Sequence, residues 1–141
     1  MIGGVAVGYH GHIRATNDVD VVPSPDPANL RRLADVLRDL EARIEGADEF
    51  ESDELLDPLD PDVLAQGGNW ILSTRLGRLD VMQSFGDGAL WERLSKGAIE
   101  DRIGDIGVKF VGYDDLVELK ERAGRPEDLA DLERLRQARD D

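Results

Sequence analysis

The chain has 141 residues, 40% hydrophobic and 34% charged, a balance that excludes a disordered polymer and leads us to expect one globular domain over 1–141. It contains no cysteine, which excludes disulfides, thiolate metal sites and cysteine nucleophiles. The net charge of −14 argues against a protein that coats nucleic acid, although Glu45 to Asp62 alone holds nine acids and no Lys or Arg, so much of the imbalance is local.

The elements follow in chain order. Ile2 to Val7 reads as the end of a strand, a glycine turn at Gly3-Gly4 and the start of a helix running through His10. Residues 18–22 alternate as Asp-Val-Asp-Val-Val, a short strand. Asp26 and Pro27 signal a helix start, and Leu30, Leu33, Leu37, Leu40 and Ile44 continue it at helical spacing. The acidic stretch 45–62 reads as loop with at most one short strand. Trp70 to Leu76 and Leu79 to Phe85 read as two strands joined at Gly77-Arg78. Leu90, Trp91 and Leu94 suggest a short helix, and Val108 to Val111 a short strand.

Asp114 or Asp115 is expected to cap a helix carrying Leu116, Val117, Leu119 and Lys120, closed by Gly124. Pro126 opens the last helix, with Leu129, Leu132 and Leu135 as its inner stripe. The order of elements implies an α+β (mixed α/β) fold: a small mixed sheet flanked by helices, with a C-terminal helical pair over about 113–139. No run of about 18 apolar residues and no basic-then-apolar leader is visible, so a cytoplasmic protein without a membrane span is expected.

The chemistry concentrates at Asp18 and Asp20. Side chains two apart on a strand share a face, and two carboxylates so close repel. Val19, Val21 and Val22 make the surrounding strand apolar, which argues against a purely solvated acidic edge. A hard divalent cation resolves the repulsion, because Mg²⁺ takes oxygen ligands from one or two carboxylates and substrate phosphates. The glycine pair adds a second feature. A glycine turn feeding a helix offers backbone N–H groups to phosphate and lets a ligand approach closely. The competing structural readings are a solvated strand and an ordinary tight turn.

Gly3-Gly4, thirteen further residues, then Asp18-Val19-Asp20-Val21 resembles the signature of the DNA polymerase β-like nucleotidyltransferases. The fuller string from Gly3 to Asp20, with Asp115-Leu116-Val117-Glu118-Leu119-Lys120 and Gly124-Arg125-Pro126-Glu127-Asp128-Leu129-Ala130-Asp131-Leu132 downstream, more closely resembles the AbiEii and MenT-like toxin nucleotidyltransferases. The resemblance implies a metal-dependent enzyme that moves NMP from an NTP to an acceptor hydroxyl on tRNA, protein or a small molecule. It also implies Mg²⁺ or Mn²⁺ as cofactor and a toxin paired with a cognate antitoxin. A third carboxylate is expected on a neighbouring strand, and Asp80, between Leu79 and Val81, fits. Asp18, Asp20 and Asp80 are then the metal ligands and catalytic acids. Gly3, Gly4, Arg14, Thr16, Lys120, Arg125 and Asp128 are expected around the nucleotide, and Asp131 is expected to orient the bases. Surface ion pairing is the alternative for Lys120 and Arg125.

Two features depart from that pattern. Only Met1-Ile2 precede the glycines, where the family has a fuller strand, so a minimal member, a displaced start and an edge strand supplied by a homodimer partner all stay open. Gly4 also stands where many active members have serine. A degenerate, non-catalytic binding or regulatory subunit is therefore the alternative to the enzyme, and a nuclease a more distant one. His10 is expected in helix packing or capping, and Trp70 and Trp91 in the core.

Overall fold

The computed structural model describes residues 1–46, 57–84 and 89–141. In chain order the elements are α1 (Gly3–Tyr9), β1 (Asp18–Val21), α2 (Pro27–Asp39), β2 (Arg43–Ile44), α3 (Pro61–Ala65), β3 (Asn69–Thr74), β4 (Gly77–Met82), α4 (Leu90–Leu94), β5 (Ile99–Ile103), β6 (Ile106–Phe110), α5 (Tyr113–Ala123) and α6 (Pro126–Asp140). The fold is α+β, with a four-stranded sheet in the order β1-β4-β3-β2 and a separate two-stranded β5-β6 ladder. No helix among the described residues is long and apolar enough to cross a membrane. The chain divides into two compact units, residues 1–20 with 92–141, and residues 21–91.

In the first unit, Met1-Ile2 is an extended segment held on both sides. The Met1 ammonium donates to the Lys109 carbonyl, the Val111 N–H donates to the Met1 carbonyl, and the Ile2 N–H donates to the Asp20 carbonyl at 3.1 Å. α1 then buries Ala6 and Val7, and Tyr9 stacks on Phe110 with ring centroids 4.2 Å apart. α5 begins after Gly112, not at an acidic cap; Asp114 and Asp115 lie inside its first turn, where a carboxylate still suits the positive end of the helix dipole. Gly124, in the left-handed region at φ 62°, closes α5, because that conformation costs glycine no Cβ clash.

α6 differs from the expected leucine stripe. Leu129 is 55% exposed, and the buried positions are Asp128, Asp131, Leu132 and Leu135. This set keeps helical spacing, but its first two members are carboxylates.

In the second unit, the Asp26 carboxylate accepts from the Ala28 N–H and Pro27 fills the first turn of α2, as expected. The helix stops at Asp39, however, five residues before Ile44. Glu41 turns the chain with φ 53°, the Ala42 N–H reaches back to the Leu37 carbonyl, and Ile44 becomes a residue of β2. Asp60 caps α3 through the Asp62 N–H, a short helix whose first two residues, Pro61 and Asp62, fall at the end of what reads in sequence as loop.

The β3-β4 hairpin turns at Arg75-Leu76, with Thr74 opposite Gly77, so the turn lies two residues before the expected Gly77-Arg78. The Thr74 hydroxyl donates to the Gly77 carbonyl at 2.6 Å and accepts from the Leu76 N–H, which pins that turn. β4 ends at Met82; Phe85, the expected strand end, and residues 47–56 of the acidic stretch lie outside the described residues. The inner face of the hairpin packs Leu72 and Val81 against Leu37 and Ala42, with Trp70 and Leu79 at the margin.

Candidate metal centre

β1 sets Asp18 and Asp20 on one face, both half-buried, as its two-residue period requires. Asp80 sits on β4, at 6% exposure, with its neighbours Leu79 and Val81 turned to the opposite, apolar face. Asp18, Asp20 and Asp80 each offer a carboxylate oxygen, and these oxygens lie within 4.8 Å of one another. Three acids at that spacing repel unless a positive charge joins them. Their chemistry, hard oxygen donors only and no sulfur or imidazole, fits Mg²⁺ or Mn²⁺.

The glycine pair has a steric reason to be glycine. Gly3 has φ 65°, and a Cβ there would lie 1.9 Å from Asp20 Oδ2. Gly4 is buried, and its Cβ would meet Thr16 Oγ1 at 2.7 Å and Arg14 Nη1 at 3.3 Å. The pair therefore makes room for the Asp20 carboxylate and for the loop that leads into β1. Gly3→Ala is expected to lose about 1–3 kcal/mol from the positive φ alone. It must also displace the Asp20 carboxylate, so Mn²⁺ binding should fall with stability; calorimetric titration and thermal melts measure the two. Unchanged Mn²⁺ binding would remove Gly3 from the site.

Lys120, Asp128 and Asp131 form a buried ionic cluster. Lys120 Nζ lies 3.1 Å from Asp128 Oδ1 and 3.0 Å from Asp131 Oδ2, and the three residues are 7%, 1% and 2% exposed. Arg14 grips Asp131 with two bonds, Nε to Oδ1 at 2.8 Å and Nη2 to Oδ2 at 3.0 Å, and its Nη1 reaches Glu127 at 3.1 Å. Arg125 holds Asp128 through Nε at 2.7 Å, and its backbone N–H donates to the same carboxylate. Burial pushes both aspartates up, but the hydrogen bonds from Arg125 and Lys120 to Asp128, and from Arg14 and Lys120 to Asp131, outweigh it and hold both carboxyls below their ordinary range.

Both arginines are pushed up, first by their hydrogen bonds to these aspartates and, more weakly, by Asp18 for Arg14 and Asp20 for Arg125. The two arginines thus feel the charge of the β1 carboxylates. Lys120 is its buried hub, while the side chain of Arg125 is 70% exposed.

The remaining expected residues divide. Thr16 donates from Oγ1 to the Asp18 carbonyl at 3.2 Å, which braces the entry to β1. His10 caps α1 and its Nε2 lies 2.7 Å from the Val111 carbonyl, so that nitrogen carries the hydrogen and donates. Trp70 is half-buried beside the hairpin core, with its indole N–H donating to Gln83.

The reading of the sequence missed Arg78. It donates from Nε to Asp80 Oδ1 at 3.0 Å and from Nη2 to Oδ2 at 3.2 Å, and it reaches Glu45 at 3.7 Å. The signal was available: Arg78 stands two before Asp80 on one strand, hence on the same face. Placing the turn at Gly77-Arg78 hid it.

No protein-family model matches the chain, and a search of curated proteins found no match.

Proposed function

We propose that this protein is a metal-dependent nucleotidyltransferase that moves NMP from an NTP to an acceptor hydroxyl. One observation carries the reading: three carboxylates, on β1 and β4, whose oxygens fall within 4.8 Å of one another. Asp18, Asp20 and Asp80 would hold Mg²⁺ or Mn²⁺. When bound, the cation supplies charge neutralisation at the transferring phosphoryl group and acidifies the acceptor hydroxyl.

The chain's own residues do the rest. Arg125, 70% exposed at the side chain, would offer the triphosphate the guanidinium nitrogen that its fork on Asp128 leaves over, while Arg14, held by Asp131, Glu127 and the Ala15 carbonyl, braces the cluster beside it. Lys120 fixes both arginines through Asp128 and Asp131. A carboxylate of the triad would take the acceptor hydroxyl's proton as the hydroxyl oxygen bonds to the α-phosphorus; the bond from the α-phosphorus to the α–β bridging oxygen breaks and pyrophosphate leaves. The glycine pair keeps Asp20 in place. The acceptors we propose are tRNA, protein or a small molecule, and transfer to tRNA would suit a toxin held by a cognate antitoxin.

The test is transfer of label from α-labelled NTPs, with Mg²⁺ or Mn²⁺, to total RNA, protein and small hydroxyl acceptors. The expected result is transfer by the wild type that disappears in Asp18→Asn/Asp20→Asn. No transfer under any condition, or equal transfer by the double variant, would sink the proposal. A second reading, a binding subunit without catalysis, draws on the Arg78 fork that occupies both Asp80 oxygens. Calorimetry separates the two: tight Mg²⁺–NTP binding with no transfer to any acceptor favours the subunit.

A further inference from the structure

We propose that Arg78 is a resident counter-ion of the carboxylate site, a side chain with two seats that makes cation binding at Asp80 conditional. The inference rests on the metal-binding reading above. Its first seat is Asp80, where the guanidinium makes two charge-assisted bonds of 3.0 and 3.2 Å to a carboxylate that is almost fully buried. Its second seat is Glu45, 3.7 Å away, whose side chain is 52% exposed. Arg78 itself is 42% exposed at the side chain, so a short swing needs no repacking of the core.

The electrostatics give the direction. Without a cation, the guanidinium offsets one of three crowded negative charges. With a cation at the triad, the Asp80 oxygens acquire a stronger partner and the guanidinium faces a like charge, which favours the Glu45 seat. Apparent cation affinity is then set by a competition, because the binding-competent arrangement requires Arg78 to leave Asp80. A nucleotide that brings its own negative phosphates into the site would offer Arg78 a further partner and promote the exchange.

The experiment is a Mn²⁺ titration without nucleotide, read by electron paramagnetic resonance of free Mn²⁺ and by calorimetry. The samples are wild type, Arg78→Gln, Arg78→Lys, Glu45→Gln and Asp18→Asn/Asp20→Asn. Arg78→Gln is expected to bind Mn²⁺ about fivefold tighter than wild type, the factor one half-exposed ion pair supports. Arg78→Lys, which keeps the charge without the fork, should fall between them, and Glu45→Gln should bind more weakly than wild type because the second seat is gone.

Equal or weaker Mn²⁺ binding by Arg78→Gln overturns the proposal and makes Arg78 a residue that merely orients Asp80. In that case, loss of binding in Asp18→Asn/Asp20→Asn would still leave the metal reading standing. If neither wild type nor Arg78→Gln binds Mn²⁺, both fall. Thermal melts of each variant show whether it is folded, and Arg78→Lys carries the comparison should Arg78→Gln not be.

Discussion

Lys120→Met is expected to destabilise the protein by about 3–5 kcal/mol, because it removes the hub of a buried ionic cluster and leaves two carboxylates without their shared ammonium. Methionine nearly matches the volume, so the loss reports charge and not a cavity. The two aspartates keep Arg14 and Arg125, which places the expected value toward the lower end. Against a typical domain stability of about 5–15 kcal/mol the effect is large. Arg136→Ala is the control. Arg136 on α6 pairs with Glu121 on α5 at 2.8 Å, but both side chains are more than half exposed, so its loss should cost under about 1 kcal/mol. Chemical denaturation of the two variants compares them directly; equal losses would mean that Lys120 is no more than a surface charge.

The same cluster fixes a pH dependence. Asp128 and Asp131 titrate below their ordinary value of 3.8 in the folded protein. A depressed carboxyl contributes stability that is fully present above its unfolded value and is lost as pH falls through the lower folded value. Wild-type stability should therefore hold down to about pH 4 and drop below it, as far as these two groups are concerned. The gap between wild type and Lys120→Met should be full at neutral pH and narrow in that acid window, as protonated aspartates no longer need the ammonium. A gap that stays constant from pH 7 to pH 3 would show that the cluster is not held together by charge.

How much of this was legible in the sequence depends on what the pattern encodes. The β1 strand was legible because Asp18-Val19-Asp20-Val21 alternates, and alternation is the strand signal itself. The start of α2 was legible because Asp26 and Pro27 are chemically suited to an N-terminus and nothing competes with them. The end of α2 was not: Ile44 continues the helical spacing, and only the positive φ at Glu41 breaks the helix, a conformation no residue type there announces.

The α6 stripe was misread for a more general reason. Periodicity counts apolar residues, but this helix buries Asp128 and Asp131 and turns Leu129 out, because Lys120 and two arginines compensate the carboxylates. Compensation depends on partners 117 and eight residues away in sequence, and a pattern on one helix cannot show them. The β5 strand went unread because Ile99–Ile103 carries Glu100, Asp101 and Arg102 between its isoleucines; its pairing to β6 comes from the ladder and not from a buried face. The candidate acids Asp18, Asp20 and Asp80 were legible from their apolar flanks, whereas Arg78 needed the register of the hairpin.

The carboxylate site makes the other large prediction, and it separates binding from turnover. A cation that binds only the folded protein stabilises it by RT ln(1 + [L]/Kd), about 2.7 kcal/mol at a hundredfold excess over Kd. Mg²⁺ or Mn²⁺ should therefore raise the wild-type melting temperature by several degrees, while Asp18→Asn/Asp20→Asn should show no rise. Neutral asparagine keeps the shape of each side chain and removes the charge that holds the ion, so the comparison does not depend on a packing defect. For turnover the loss should be far larger. The cation is asked to supply several kcal/mol at the transition state, which corresponds to about a thousandfold or more in transfer rate. Asp80→Asn tests whether the third acid belongs to the same site: it should weaken the metal-dependent rise and the transfer together. A melting temperature indifferent to Mg²⁺ and Mn²⁺ in the wild type would contradict the metal reading at its root, because carboxylate oxygens within 4.8 Å of one another would then be balanced by the protein's own side chains, Arg78 on Asp80 among them, and not by a cation.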